Sequence, residues 1–355
     1  MGLLPNIVTK KVEIRPREVM VNIIGKALAI ANGNADVDRM IQYWLKDIKL
    51  CENTKPDLIV LPEICDMYND LLGIPGDAEA KKRRDDWLEK RGNKILDAFR
   101  EYANAHHTYL VYPTYRDRGN DHVSNCSLLI DREGDVISCY DKVYPTVGDI
   151  AKGAIPGTKP VIAQTDFGTM GFAICFDLNF WDLLEAYAPL RPNVLAFSSY
   201  YHGNLMQATW AYRCQSYFLG ATIGNLEKNI VLPDGTVRDS IRSFSTNLVG
   251  TINTNCKLAH IDFNKERINA AFAKYGRKLT IHNNNGLGVL LLISNDPDLP
   301  IAEIFREFEI ETWDEYYARS TKARLAACPS PMRSASATGP HLSCARRFSA
   351  AIPFI

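Results

Sequence analysis

Between Met20 and Phe263 the sequence alternates two apolar patterns, and this limits the chain to folds in which helices cover sheet faces. "MVNIIG" (20–25) reads as a strand. Val37, Met40, Ile41, Trp44, Leu45 and Ile48 then recur at spacings of three and four, the stripe of an amphipathic helix. "DLIVLP" (57–62) is apolar on both faces, which predicts a fully buried strand. A second helix is expected over roughly 86–105, with Leu88, Ile95, Phe99 and Tyr102 on one side, before "TYLVYP" (108–113) returns to the sheet. Hairpins are expected at Arg132–Asp135, around Gly134, and at Pro233–Gly235. Further strands fall at "PVIAQTD", "MGFAIC", "NVLAFSS", "GATIGN" and "LAHIDF".

No Gly- or Pro-rich linker interrupts this pattern, which predicts one domain over 20–325 after an N-terminal extension, 1–19. Its core motifs span 20–265, and a helical arm region follows at 266–325. There "NKERINAAFAKYG" reads as a helix with Gly276 at its end, and Thr312 with Glu315 has capping-box spacing. The last segment, 326–355, is rich in Ser, Pro and Ala and is expected to be disordered.

Charge narrows the partners. Lys plus Arg equals Asp plus Glu at 41 each, so no net field draws the chain to nucleic acid or an acidic membrane. No run of about eighteen apolar residues spans a bilayer. The first residues lack a signal-peptide pattern, so a cytoplasmic protein is expected. The nine cysteines include no Cys-x-x-Cys pair, which argues for reduced thiols rather than disulfides or structural zinc.

Three polar residues stand where apolar runs end: Glu63 after "LIVLP", Lys142 after "ISCYD" and Cys175 after "GFAI". Singly, each has a commoner reading, as an exposed loop carboxylate, a solvated lysine and a packed thiol. In α/β sheets, however, residues beyond the carboxyl ends of strands converge on one crevice. A thiol must lose its proton to attack, a carboxylate can take that proton, and an ammonium can hold the resulting charge.

With these motifs in view, the sequence strongly resembles the nitrilase superfamily, the carbon–nitrogen hydrolases. The likeness covers about residues 20–265 and rests on "LIVLPE", "YDKVYPT", "KGAIPG", "GFAICFDLNF" and "WAYRCQSYFLGATIGN", in family order. It implies a four-layer α-β-β-α sandwich, commonly a homodimer or larger homo-oligomer. Carried over, it makes Cys175 the nucleophile, Glu63 the general base and Lys142 the oxyanion stabiliser, with the Phe176 N–H as second oxyanion donor. The implied activity is hydrolysis of a small-molecule amide, carbamoyl compound or nitrile, amides slightly preferred, without metal or organic cofactor.

Two positions depart from the pattern. Relatives often carry glutamate seven residues after the lysine; here Asp149 stands there, either a supporting carboxylate or the cap of the next turn. Asn179 replaces a frequent arginine, which marks it either as a substrate-binding candidate of a different subset or as a change without a role. Tyr68, Trp181, Tyr200 and Tyr201 are candidates for lining a substrate pocket and equally for core or interface. The charged stretch 78–92 reads as a solvated helix face. A papain-type protease is disfavoured, because neither His202 nor His282 has a supporting motif. A dinucleotide enzyme is disfavoured too, because "NNNGLG" (283–288) has the wrong place and pattern. The rival that stays open is a family member that kept the fold and lost catalysis, acting as a binding or scaffold module.

Overall fold

A computed structural model describes residues 7–73, 77, 79–284 and 286–328. The first sheet contains β1 (Glu18–Ile24), β2 (Leu58–Val60), β3 (Tyr109–Gly119), β4 (His122–Ile130) and β5 (Val136–Asp141). The second contains β6 (Ile162–Thr165), β7 (Gly168–Ile174), β8 (Val194–Ser199), β9 (Tyr217–Thr222), β10 (Lys228–Val231) and β11 (Val237–Ile241). β12 (Asn247–Asn253) returns to pair with β1, giving the orders β12-β1-β2-β3-β4-β5 and β11-β10-β9-β8-β7-β6. A small third sheet holds β13 (Cys256–His260), β14 (Leu279–Asn284) and β15 (Val289–Ser294).

The middle of each large sheet is parallel: β1, β2 and β3 in one, β7, β8 and β9 in the other. Burial on both faces explains their continuous apolar sequences, since β2 and β8 have no exposed position. The sheets face each other, with Tyr140 of the first stacked on Phe172 of the second. Ser198 also donates to the Leu61 carbonyl across the layers at 2.8 Å.

Helices α1 (Val37–Leu50), α2 (Ala80–Arg91) and α3 (Lys94–His106) cover the first sheet, and α5 (Trp181–Tyr187) and α6 (Leu205–Cys214) the second; a short α4 (Val147–Ala151) lies between. The result is the α-β-β-α sandwich. Asp36 starts α1 by accepting from the Arg39 N–H at 2.8 Å, and Val37, Met40, Trp44 and Ile48 form its buried stripe. The helix expected over 86–105 is two helices. Gly92, at φ +48°, ends α2 in a conformation that side chains resist, and α3 restarts beyond it. Nor is 78–92 only a solvated face: Arg84, Trp87 and Arg91 of α2 are buried, and Arg91 pairs with the buried Asp66 at 3.0 Å.

α7 (Lys265–Tyr275) and α8 (Ile301–Glu307) pack on the third sheet around Ala259, Ile268, Leu292 and Ile304. One compact unit reaches Thr312; α9 (Trp313–Ala327) belongs to a second. The segment expected to be disordered lies outside the described residues apart from 326–328. No described helix is long and apolar enough to cross a membrane.

Candidate active site

Four strand ends meet at one edge of the sandwich. Glu63 lies just past β2, Lys142 directly follows β5, Cys175 directly follows β7 and Tyr200 directly follows β8. The Lys142 backbone is pinned by its N–H to the Asn125 carbonyl at 2.9 Å and by the Gly157 N–H to its own carbonyl at 2.8 Å. Cys175 has φ +47°, unusual for a residue with a Cβ, and opens a single 3₁₀ turn through Asn179. Such a conformation costs roughly 1–3 kcal/mol and persists only where surrounding contacts enforce it.

Those contacts converge on Asp177. Its carboxylate is fully buried and accepts from the Tyr140 hydroxyl at 2.7 Å, the Ile174 N–H at 2.9 Å and the Tyr144 N–H at 2.7 Å. One side chain thus ties the Cys175 turn to the segment that carries Lys142. Burial pushes the Asp177 carboxyl up to about 6, against the pull of its hydrogen bonds.

Glu63 and Lys142 are both buried, 4% and 1% exposed, and the Lys142 Nζ donates to Glu63 Oε1 at 2.8 Å. Asn125 on β4 donates to the same oxygen at 2.8 Å, and the Tyr200 N–H to Oε2 at 3.1 Å. Burial works to neutralise the Lys142 ammonium, but the Glu63 charge and hydrogen bond, with Asp149 and, once ionised, Cys175, prevail and hold it above its ordinary range. For Cys175, burial and then the Glu63 charge push the thiol up to about 12; Lys142, the Ser199 hydroxyl and the Tyr200 N–H pull the other way. The three groups therefore act on one another electrostatically, with the thiol protonated at neutral pH.

The remaining candidates divide. Asp149 closes a capping box at α4: its Oδ2 accepts from the Thr146 N–H at 3.1 Å and hydroxyl at 2.8 Å, while Thr146 Oγ1 accepts from the Asp149 N–H. Phe176 is 39% exposed, its ring edge-on to Phe180, which stacks on Tyr144. Asn179 is exposed and donates to the Phe176 carbonyl at 3.4 Å. The Tyr200 hydroxyl is buried with no hydrogen-bond partner among the described residues, the Tyr201 hydroxyl is buried beside the Asn179 side chain, and both rings lie close to Cys175. Trp181 is largely exposed at the start of α5. Tyr68 is core: its hydroxyl donates to the Asp36 carbonyl at 2.7 Å and its ring packs on Trp87.

Two residues of this cluster are not singled out by sequence reading. Asp177 left a signal, an acid in an otherwise apolar "CFDLNF" turn. Asn125 left none, since its role depends on strand pairing.

The α-β-β-α sandwich is the fold of the nitrilase-superfamily structures. The sequence model for carbon–nitrogen hydrolases matches residues 27–222, more than half of the chain, and the chain belongs to that family. Human deaminated glutathione amidase is 26% identical over 138 residues, 34% of this chain and 42% of that protein. Its Dictyostelium discoideum counterpart is 24% identical over 177 residues, covering 46% and 58%. The chain thus spans about half the length of these relatives. Among solved structures, an amidase from Nesterenkonia sp. carrying the acetamide moiety of fluoroacetamide on its active-site cysteine superposes with a TM-score of 0.58. The identity is 13%, over 69% of this chain and 94% of that one.

Proposed function

We propose that the protein is a thiol hydrolase of non-peptide carbon–nitrogen bonds in a small molecule, with an amide or carbamoyl substrate preferred to a nitrile. The observation that supports this most is the placement of Cys175, on a strained turn, within the field of a buried Glu63–Lys142 pair.

In this reading the Cys175 proton passes to Glu63 as the sulfur attacks the carbonyl carbon, so no free thiolate has to accumulate beforehand. The carbonyl oxygen becomes an oxyanion held by the Lys142 ammonium and the Phe176 N–H, at the head of a turn whose first N–H groups lack partners within it. Collapse breaks the carbon–nitrogen bond, and Glu63 returns the proton to the departing ammonia or amine. Water then gives a proton to Glu63 and attacks the thioester, releasing the acid and restoring the thiol. Asn125 and the Tyr200 N–H hold the Glu63 carboxylate in place throughout. Asp149 contributes its charge and the α4 cap rather than a contact to the reacting atoms. The preference for amides rests on the amidases among the relatives.

An ammonia-release screen over primary amides, N-carbamoyl amino acids and nitriles tests the reading, with Cys175→Ala as control and intact-mass detection of an acyl adduct. Turnover dependent on Cys175 is expected. Full turnover by the alanine variant would remove Cys175 as the nucleophile, whereas no turnover and no adduct across all three classes would leave a binding module on the same fold.

A further inference from the structure

Away from this cluster, β4 and β5 bring a second pair of thiols together. Their antiparallel register sets Cys126 opposite Asp141 and Leu128 opposite Cys139, so the two cysteines are diagonal neighbours on one face. Both sulfurs and an Asp141 oxygen lie within 4.8 Å of one another. Cys126 is fully buried, whereas Cys139 is half-buried on the edge strand of the sheet.

Two guanidiniums converge beside the pair. Arg116 Nε donates to Asp141 Oδ1 at 2.8 Å and its Nη2 to Oδ2, and Arg118 Nη1 donates to Oδ2 at 3.0 Å. Two positive charges on one carboxylate leave a net positive environment, of the kind that makes a thiol reactive. They also occupy both carboxylate oxygens, so a metal cation would have to compete with both arginines. Cys139 is itself half-buried, and its neighbours Arg116 and Leu128 line a cavity of about 360 Å³ that neither sulfur reaches. From this juxtaposition we infer that Cys126 and Cys139 are a redox-active dithiol, closed to a disulfide by a small peroxide.

The division of labour follows from the surroundings. Hydrogen bonding from the Cys126 thiol, with help from Arg116 and Arg118, holds Cys139 below the usual thiol range against its burial; Cys126 is held well above it. The Cys139 thiolate attacks one peroxide oxygen, the O–O bond breaks, and protonated hydroxide leaves as water. The Cys126 sulfur then displaces the hydroxyl of the resulting sulfenic acid, losing its own proton to form a second water. Two thiols are oxidised and one peroxide is reduced. Diagonal Cα atoms are about 7–8 Å apart, and a disulfide spans at most about 6.8 Å, so β5 must slide or twist along β4 by roughly 1 Å, the ladder hydrogen bonds already fixing the spacing between the strands. β5 pairs with a single strand and is otherwise held by the Val8 N–H on its first residue, Val136, so the end that carries Cys139 can yield, and the strained bond reverts readily to thiols.

The test uses the full chain, treated with equimolar hydrogen peroxide and then alkylated in denaturant and digested with trypsin. The expected product joins peptide 119–132, which holds Cys126, to peptide 133–142, which holds Cys139, two hydrogens lighter than their sum. Dithiothreitol before alkylation should abolish it. Cys126→Ser should instead leave a Cys139 sulfenic acid that dimedone traps. Recovery of both cysteines fully alkylated while other thiols are oxidised, or pairing of Cys139 with a different cysteine, would overturn the inference. Neither readout depends on hydrolytic activity.

Discussion

The Lys142 Nζ sits 2.8 Å from Glu63 Oε1 with both side chains almost wholly buried, which makes the pair a structural commitment as well as a chemical one. Removing one partner of such a pair strands the other, at a cost of about 3–5 kcal/mol. Lys142→Met should therefore lower unfolding free energy by that order, and Glu63→Gln by less, because the amide oxygen can still accept from Lys142. In a double-mutant cycle, Glu63→Gln with Lys142→Met should be clearly less destabilised than the sum of the two. Additivity in urea denaturation would mean the pair is not coupled. All three variants should be inactive.

The thiol offers a sharper discrimination. Burial and Glu63 hold Cys175 near about 12, with Lys142 opposing them. Iodoacetamide modification of Cys175, followed by mass spectrometry, should keep accelerating with pH instead of levelling off near the ordinary value of about 8.5. Glu63→Gln deletes the unfavourable charge and spares the lysine. Its Cys175 should alkylate several-fold faster at pH 8 while hydrolysis is lost. Slower alkylation in that variant would mean that Glu63 activates the resting thiol, contrary to the electrostatics.

Asp177 makes a prediction about stability and pH. Its folded carboxyl titrates at about 6, above the ordinary aspartate value of about 3.9, so the folded state holds this proton more tightly than the unfolded chain does. The stabilisation from this group is complete below about pH 4 and is lost as pH rises through about 6, an effect of roughly 3 kcal/mol. Asp177→Asn cannot titrate. The stability of the wild type relative to this variant should fall between pH 4 and 6 in parallel denaturant titrations. A difference that stays flat or rises over that interval would remove burial as the dominant influence.

What the sequence discloses and what it hides follow one physical line. Glu63, Lys142 and Cys175 are legible because each ends an apolar run, and a run of buried strand residues is a one-dimensional signal. Asn125 is invisible, because donating to Glu63 depends on which strands pair. The Cys126–Cys139 neighbourhood is hidden for the same reason, being a matter of register across a hairpin. The Gly92 break was misread because Leu88 and Ile95 fit one helical stripe even though the backbone turns between them. β12 escaped notice because its partner β1 lies at the far end of the chain.

Asp149 is where two roles can be separated. Its Oδ2 is held by Thr146 in the capping box, yet its charge helps keep Lys142 protonated. Asparagine retains an acceptor for the cap and deletes the charge, whereas alanine deletes both. Asp149→Asn should lose only a few tenths of a kcal/mol, and Asp149→Ala about 1 kcal/mol, in thermal or denaturant unfolding. If the charge matters to hydrolysis, both variants should lose kcat by a similar factor despite their different stabilities. Asp149→Glu, the residue the capping-box pattern favours at this position, should keep both the cap and the charge, with activity within an order of magnitude. Activity that tracks the cap across the three variants, high in Asn and Glu and low only in Ala, would assign Asp149 to local structure alone.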